Sequence, residues 1–437
     1  MTLVSPWQAA KDAPPAEPTV GSTDFAGRRW RLFRMTIGLG LLTVLTLGLY
    51  RFWMKTKLRR WYWSAFRPLG HPVEYVGDPW EKLLGFLIAV VFLAFYIGVV
   101  NLLLMFASFS LFNGNVAAYF LSFLGVIPLW FYARYRARRY VLARTRWQGI
   151  RFGLAPGAWG YARRALWHWF LTLITCGLLW PRKAFYLEKF ITDRTFFGDQ
   201  SLRQEGRWTG LLRPWLGVWL PLFALAVFLA TLVYVDSQIV APELFDDLFD
   251  EAAESAPFAQ LFRTLLVALP IAFTVLPIWA ALGVVNYHVK SLRYLTENKH
   301  LTEANLSIAP RFWRVTGIYF WGYLLASLVA SLCLIPIIAL IVVVAMSYGA
   351  GFEMEIGVLT DLPRIVAVVL AVAGYFTLFL MWSALTHTFV RFPLLRHYAE
   401  TLKIHHPVAL KEVRQRPRDE FGEAEGFAEA LDVGAAI

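Results

Sequence analysis

The strongest constraint on the fold of this chain is a set of long stretches without basic side chains. Residues 83–133 contain no Lys, Arg, Asp or Glu, and residues 214–262 and 315–363 contain no Lys or Arg. About 20 consecutive apolar residues cross a bilayer as a helix, which bonds all its backbone polar groups internally. The 437 residues are 58% hydrophobic and 16% charged, whereas a soluble domain is about 45–50% apolar. The sequence therefore predicts an all-α polytopic membrane protein.

The apolar stretches predict three transmembrane helical hairpins, or about six spans. They lie in 83–133, in 214–235 with 264–289, and in 315–348 with 365–390. Two further apolar segments, 35–50 and 165–181, are shorter than a span and have basic residues at both ends. We interpret these two segments as re-entrant or interfacial. Straight crossings, which would give eight spans, are the alternative.

A small basic and aromatic unit recurs beside these helices. It consists of a basic residue, two other residues, Arg and an aromatic residue. Its three full copies are Lys57, Arg60 and Trp61; Arg136, Arg139 and Tyr140; and Lys290, Arg293 and Tyr294. Lys189-Phe190 keeps the second half of the pattern, and a degenerate copy begins at Arg396 and Tyr398.

Each of the three full units, and also the half copy at Lys189-Phe190, continues into a short segment with turn residues and alternating apolar residues. In the first three segments a Gly is followed ten residues later by a Trp, as at Gly70 and Trp80; Thr302 and Phe312 keep the spacing in the fourth. Such segments predict small β-hairpins or extended loops at the helix ends. The predicted fold is therefore all-α, with small cytoplasmic hairpin-like repeat units.

The distribution of charge predicts which side of the membrane each loop occupies. The net charge is +12, and the basic residues gather in the repeat units. Residues 236–255 contain seven acids and no base. Because Lys and Arg are enriched in cytoplasmic loops, we expect the repeat units and both chain termini to be cytoplasmic. A basic chain of this kind does not indicate nucleic-acid binding.

These patterns divide the chain into five parts. They are a disordered N-terminal tail (1–27), a first repeat (28–163), a second repeat (164–312), a third helix pair (313–400) and a cytoplasmic acidic C-terminal tail (401–437).

The motifs resemble one known family. "TLGLYRFW" (46–53), "KLRRWYW" (57–63) and "LGHPVEYVGDPW" (69–80) occur in order, and "GEAEGFAEALDVG" (422–434) is similar to an acidic tail of that family. The sequence thus resembles the YjgN-like family of bacterial inner-membrane proteins. The resemblance implies a multi-pass protein of the inner membrane, and it implies no activity, cofactor or catalytic residue.

The basic and aromatic units have two interpretations. Their Arg and Lys side chains could bind phosphate headgroups of anionic lipids, or they could anchor helix ends beside an aromatic belt. His168, between Trp167 and Trp169, is either a polar site within the membrane or part of that belt. The expected partner is the lipid bilayer; nucleic acid is not expected, and the sequence names no protein partner.

Other motifs give little support for an enzyme. "DDLFDE" (246–251) could hold Mg²⁺ on a diphosphate, as in prenyl transfer, but no second acidic motif faces it. We expect Cys176 and Cys333 to be buried small hydrophobic residues. The sequence therefore predicts no metal site, no cofactor and no catalytic residue.

The predicted spans contain few polar residues, which disfavours a pathway for ions. The function expected first is transport or handling of a lipid-like or hydrophobic substrate. The alternative is a non-catalytic scaffold that docks partners through the basic units and the acidic tail. A Mg-dependent prenyl-type transferase is a third, weaker reading.

Overall fold

The computed structural model describes residues 19–112, 116–239, 256–347 and 362–416. Their helices are α1 (Arg29–Leu45), α2 (Arg51–Ala65), α3 (Pro79–Phe95), α4 (Asn101–Phe112), α5 (Val116–Ala143), α6 (Ala158–Ile174), α7 (Trp180–Thr192), α8 (Leu212–Ile239), α9 (Ala256–Glu297), α10 (Phe312–Ser347), α11 (Leu362–Thr386) and α12 (Phe392–Thr401). A π-helical turn at Tyr96–Val100 joins α3 to α4, and another at His387–Arg391 joins α11 to α12. Short 3-10 helices occupy Trp208–Leu211 and Pro407–Glu412.

Ten short strands alternate with the helices. They are β1 (Val20–Phe25), β2 (Phe66–Pro68), β3 (Val73–Tyr75), β4 (Thr145–Trp147), β5 (Ile150–Leu154), β6 (Thr195–Phe197), β7 (Gln200–Gln204), β8 (Lys299–Leu301), β9 (Ala304–Ile308) and β10 (Leu402–His405). They form one antiparallel sheet in the order β2-β1-β10-β9-β8-β7-β6-β5-β4-β3. The two end strands are consecutive in the chain, and His71 N donates to Pro68 O across their turn at 3.0 Å. The sheet is therefore a nearly closed ring, which we call the strand ring.

The strand ring contradicts the prediction of an all-α fold. The expected β-hairpins are present, as in the pairing of Phe196 with Ser201, but they also pair with one another. Trp147 of β4 pairs with Val73 of β3, and Leu202 of β7 pairs with Leu301 of β8. An isolated two-stranded hairpin is marginally stable and leaves two edges unpaired. Lateral pairing satisfies those edges, and it joins residues that are far apart in the sequence.

The strand ring also includes residues from the predicted N-terminal tail. Residues 20–25 form β1, which pairs with β10 through Val20 and His405 and with β2 through Phe25 and Phe66. Strands β10 and β1 therefore form a fifth two-stranded unit, built from the two ends of the described chain. The other predicted domain boundaries stay predictions.

The described residues form five helical hairpins, and both ends of each hairpin reach the strand ring. In chain order they are α1 with α2, α3 and α4 with α5, α6 with α7, α8 with α9, and α10 and α11 with α12. Because every hairpin returns to the same sheet, the five β-units lie on one side of the helices. The strands on either side of segment 35–50 pair with each other, as do those on either side of 165–181, so each segment lies within a helical hairpin.

Four helical stretches are long and apolar enough to cross a membrane, by length and composition. They are Trp208–Thr231, Ala272–Glu297, Phe312–Pro336 and Gly374–Thr401, which match four of the six predicted spans. Within 83–133, where two spans are predicted, the described residues contain by the same criteria only a shorter apolar helix, Gly98–Ser110. The count of about six spans is therefore wrong for the part of the chain that the structure describes.

The two short apolar segments form matching tight turns between helices. In the first turn Leu47 has φ 51° and Gly48 has φ 92°; in the second, Cys176 has φ 46° and Gly177 has φ 87°. Gly accepts this left-handed backbone without a steric cost. The hydroxyl of Thr46 donates to Leu42 O and accepts from Tyr50 N, and Thr175 makes the equivalent two bonds. The repeated threonine and glycine thus encode the turn.

Apolar side chains surround these two turns and are accessible from outside the chain. Leu47 is 94% exposed, Leu45 is 70% exposed and Leu173 is 69% exposed. Cys176 is also exposed, so the prediction that it is buried is wrong; Cys333 is intermediate. A compact soluble protein would bury such a cluster, and a bilayer would cover it.

Candidate functional site

The predicted basic and aromatic residues occupy fixed positions before the β-units. The residue six positions before each unit's first strand is basic, and the next residue carries a ring. The basic residues are Arg60, Arg139, Lys189, Arg293 and Arg396, and the ring residues are Trp61, Tyr140, Phe190, Tyr294 and His397. The unit is therefore present five times in the described chain. In the fifth copy His397, and not Tyr398, takes the ring position.

The five ring residues all make the same kind of contact. Each packs on the loop that leaves the preceding β-unit, so that neighbouring units are joined in sequence around the strand ring. Three of the contacts are polar: Tyr140 Oη lies 3.5 Å from Asp78 O, Tyr294 Oη lies 2.9 Å from both Arg207 N and Arg207 O, and His397 Nε2 accepts from Arg311 N at 3.1 Å. The other two are packing contacts, of Trp61 with Gly27 and of Phe190 with Gly157. These contacts support a structural role for the ring position.

The predicted cations make several kinds of contact. Lys57 Nζ donates to Tyr50 Oη at 2.8 Å, and Arg60 donates to Gly77 O at 2.9 Å. Arg136 donates to Tyr132 Oη at 3.3 Å. Burial raises the pKa of Tyr135 to about 12, although the nearby guanidinium groups of Arg194 and Arg139 lower it. In the first two copies these contacts hold helix ends to one another and to the loops.

The fourth copy differs, because its cations line a surface groove. Arg293 forms an ion pair with Glu297 at 2.7 Å, and Lys290 is exposed. Together with Arg213 and Tyr294 they surround a space of about 510 Å³. In this copy the structure brings the predicted site residues around a common groove.

His168 is buried and stacks on Tyr186, with ring centroids 5.1 Å apart. Burial lowers the pKa of His168, and the neighbouring Arg182 and Arg164 lower it further. Its Nδ1 atom has no hydrogen-bond partner among the described residues. The imidazole is therefore held neutral in a packed, cationic environment.

A larger candidate site, which the sequence did not indicate, lies inside the strand ring. The ring encloses a cavity of about 650 Å³. Every strand contributes to its wall, through Phe25, Phe66, Val73, Trp147, Phe152, Phe197, Leu202, Leu301, Ala304, Leu306, Ile308, Leu402 and Ile404, among others. Clefts of about 300–1,000 Å³ with mainly apolar walls are typical of small-molecule sites. The size and chemistry of this cavity suit a hydrophobic ligand.

Helix ends form one side of the cavity and supply some of its polar groups; others come from Arg138 at the end of α5 and from the strand residues Thr145, Lys299 and His300. Tyr62 and Tyr398 reach it from α2 and α12, and Leu292 and Thr296 reach it from α9. Tyr62 Oη lies 2.9 Å from His387 Nδ1, and burial raises the pKa of this tyrosine in spite of the opposing charge of Arg391. The phenol therefore stays protonated and neutral.

A charged pair marks the cavity rim between two β-units. Lys299, which lines the cavity, donates to Glu188 Oε1 at 2.6 Å. Burial alone would raise the pKa of Glu188, but Lys299 and the more distant Arg138 and Arg134 lower it overall. The carboxylate is thus ionised and neutralises one of the few cations at the rim.

Residues 407–416, which we call the strap, follow β10 and lie across the strand ring. Leu410 lines the cavity, and Val413 packs with Val73, Trp147 and Phe197. Asp199 N donates to Arg414 O at 2.9 Å, and Arg414 N donates to Asp199 Oδ1 at 3.1 Å. Apolar contacts and backbone bonds thus hold the strap on the cavity. The acidic residues beyond it lie outside the described part of the chain.

The placement of acidic and metal-ligating side chains bears on an enzymatic function. Within the described ranges, no group of three or more His, Cys, Asp or Glu side chains is placed to hold a metal ion. The "DDLFDE" motif at 246–251 lies outside the described residues. None of the described residues that line the cavity carries a carboxylate or a thiol. What the arrangement can do chemically is therefore to enclose an apolar molecule.

The alternating strand residues were the available signal for the cavity. Val73 and Tyr75, and likewise Phe152 and Leu154, alternate with residues that point to the other face. Alternation indicates a face that is buried, but it does not show what covers that face. The cavity depends on the pairing between units, which local patterns do not specify.

The comparisons with known proteins identify a family and no function. No curated protein and no solved structure matches the chain. Residues 21–329 match the family described as "Bacterial protein of unknown function (DUF898)". The match covers well over half of the chain, and the YjgN-like proteins are part of this family, so the resemblance seen in the motifs is confirmed. The chain belongs to the DUF898 family of bacterial proteins.

Proposed function

We propose that this protein is a multi-pass protein of the bacterial inner membrane that binds and handles a lipid-like or hydrophobic molecule in the strand-ring cavity. The observation that carries the proposal is the apolar cavity of about 650 Å³ at the ends of helices suited to a membrane. An apolar molecule gains free energy in such a cavity in proportion to the apolar area removed from water.

The charge pattern supports a cytoplasmic position for the strand ring. Basic residues stand before every β-unit, whereas the sequence 236–255, which includes the connection between α8 and α9, is acidic. Lys and Arg are enriched on the cytoplasmic side, so we place the ring and both termini there. The apolar turns at Leu47 and Cys176 then enter the cytoplasmic leaflet and return, as re-entrant hairpins.

The composition of the wall favours binding over the two other functions considered. A scaffold needs exposed docking surfaces and has no use for an internal apolar cavity. A prenyl-type transferase needs carboxylates that hold Mg²⁺ near the reacting groups, and the part of the cavity wall formed by described residues contains none. We therefore propose a non-catalytic role, in which the cavity holds or passes on its ligand unchanged.

Two substitutions at neighbouring positions of β7 test the proposal. Leu202 lines the cavity, and Arg203 is exposed. Successive side chains of a strand point to opposite faces, so Leu202→Trp fills the cavity and Arg203→Trp adds the same side chain outside it. The purified full chain in detergent is titrated with a fluorescent fatty-acyl probe.

We expect wild type and Arg203→Trp to bind the probe with similar affinity, and Leu202→Trp to bind at least about tenfold more weakly. The melting temperature of each variant shows whether it is folded. Equal binding by folded Leu202→Trp and wild type would place the probe elsewhere and contradict the proposal.

A further inference from the structure

A basic groove lies where two candidate spans meet the strand ring. Arg213 and Pro214 line it near the start of α8, and Lys290, Arg293 and Tyr294 line it near the end of α9. Trp208–Thr231 and Ala272–Glu297 are both long and apolar enough to cross a membrane. The groove therefore lies at the end of both spans that is nearer to the ring.

The groove has an excess of positive charge. Its cations are Arg213, Lys290 and Arg293, and its one acid is Glu297. Glu297 accepts from Arg293 Nε at 2.7 Å, a bond that leaves the two terminal guanidinium nitrogens for another acceptor. Within the described ranges, neither Arg213 nor Lys290 has an acidic partner within ion-pair distance. Two of the three cations are thus not neutralised.

The wall of the groove is fixed by hydrogen bonds and close packing. Tyr294 bonds to both backbone groups of Arg207 at 2.9 Å. Its ring lies against Gly210, where an added Cβ would come within 2.6 Å of the tyrosine ring. The backbone of the loop before α8 is therefore held against α9, which keeps Arg213 near Lys290 and Arg293.

We infer that this groove binds the phosphate headgroup of an anionic phospholipid. Arginine presents several donors in a planar fork that matches phosphate oxygens, and lysine adds a mobile charge. Basic pockets between membrane helices on the cytoplasmic side suit anionic lipid headgroups. The apolar surfaces of α8 and α9 continue from the groove and suit the acyl chains.

This inference goes beyond the proposed function; it rests on the membrane position proposed above and does not depend on ligand binding in the cavity. Leu292 and Thr296 line the strand-ring cavity, whereas Lys290 and Arg293 line the groove. The two sites, which differ in chemistry, therefore lie on different faces of the same turns of α9. Loss of headgroup binding in the groove can therefore be measured separately from loss of ligand binding in the cavity.

The test compares two pairs of charge-removing substitutions. The groove pair is Arg213→Gln with Lys290→Gln. The control pair is Arg203→Gln with Lys403→Gln, which removes the same charge from exposed strand positions. Each purified full chain in neutral detergent is titrated with short-chain phosphatidylglycerol, with short-chain phosphatidylcholine and with inorganic phosphate. Binding is followed through the shift in melting temperature.

We expect phosphatidylglycerol to stabilise wild type and the control pair, and to bind the groove pair about tenfold more weakly. Phosphatidylcholine and inorganic phosphate are expected to have little effect. Stabilisation by inorganic phosphate that is lost in the groove pair would assign the groove to a soluble anion and overturn the lipid assignment. Equal phosphatidylglycerol binding by both pairs would overturn the site.

A second set of variants tests the same site if the groove pair does not fold. Arg293→Gln alone removes one cation and frees Glu297, and Arg396→Gln is its match, because Arg396 forms the same ion pair with Glu400 at 2.7 Å. Weaker phosphatidylglycerol binding by Arg293→Gln only supports the site. The same change in both variants contradicts it.

Discussion

The phenolic oxygen of Tyr294 accepts a hydrogen bond from Arg207 N and donates one to Arg207 O, each at 2.9 Å. One hydroxyl thus satisfies both backbone groups of a residue that is 87 positions away in the chain. His397 Nε2 makes the corresponding contact with Arg311 N at 3.1 Å. These bonds attach the helix of one β-unit to the loop of the unit before it.

Tyr294→Phe should therefore lower the stability of the protein. The substitution keeps the ring and leaves the N–H and the C=O of Arg207 without this partner, at a cost of about 1 kcal/mol. The measurement is thermal unfolding in detergent. Tyr375→Phe, at a position 66% exposed in α11, is the control and should change the melting temperature little. Equal melting temperatures for the two variants would mean that the Tyr294 hydroxyl does not join the units.

Lys183 is a second position with a measurable consequence. Its side chain is buried, and Nζ lies 3.0 Å from the ring centroid of Trp180 and 3.7 Å from that of Trp169. Burial, with a smaller effect of Arg134, lowers the pKa of Lys183 from 10.5 to about 7. The folded state therefore binds fewer protons than the unfolded state between about pH 7 and pH 10.5. Stability should rise with pH across this window and level off below it.

Lys183→Met should remove most of this pH dependence. We expect the variant to be more stable than wild type at pH 7, by roughly 1–3 kcal/mol, with a smaller difference at pH 9.5. The exposed Lys57→Met is the control and should not change the slope. The two tryptophan rings favour the cation by about 0.5–2 kcal/mol. If this attraction outweighs burial, Lys183→Met will be less stable than wild type at pH 7, which would refute the prediction.

The single strand ring also predicts which positions share a side of the membrane. In a variant with Cys176→Ser and Cys333→Ala, new cysteines are placed singly at His71, Arg203 and Ser237. We expect an impermeant maleimide to modify Ser237→Cys in intact cells, and to modify the other two only after permeabilisation. Modification of His71→Cys and Arg203→Cys from opposite sides would be incompatible with one sheet that contains both β3 and β7.

Local patterns predicted part of the fold. The turn at Gly48 and its copy at Gly177 lie at a repeated threonine, glycine and leucine sequence, and turn residues between alternating apolar residues indicated hairpins such as that of β6 with β7. The repeat of basic and aromatic positions was inferred from the sequence, and a basic residue followed by a ring stands before each β-unit. These features depend on charge and hydropathy within short stretches of sequence, and such stretches can be recognised without knowledge of the fold.

The strand ring and its cavity could not be predicted in the same way. The pairing of Val20 with His405 joins the two ends of the described chain, and a short polar segment such as 19–27 carries little sign of it. The groove around Arg213 and Lys290 depends on contact between α8 and α9. Such contacts are set by the whole fold, so residues with ordinary local patterns gain their roles only after the units assemble.

The most direct test of the account is to locate a bound hydrophobic molecule by photocrosslinking. A photoactivatable fatty-acyl probe is bound to the purified full chain, irradiated, and its adducts are mapped by mass spectrometry in wild type and in Leu202→Trp. We predict adducts on cavity-lining residues of β5, β7 and β9, and their loss in Leu202→Trp. Adducts confined to the outer surfaces of the long helices, with equal yield in both proteins, would contradict a ligand site inside the strand ring.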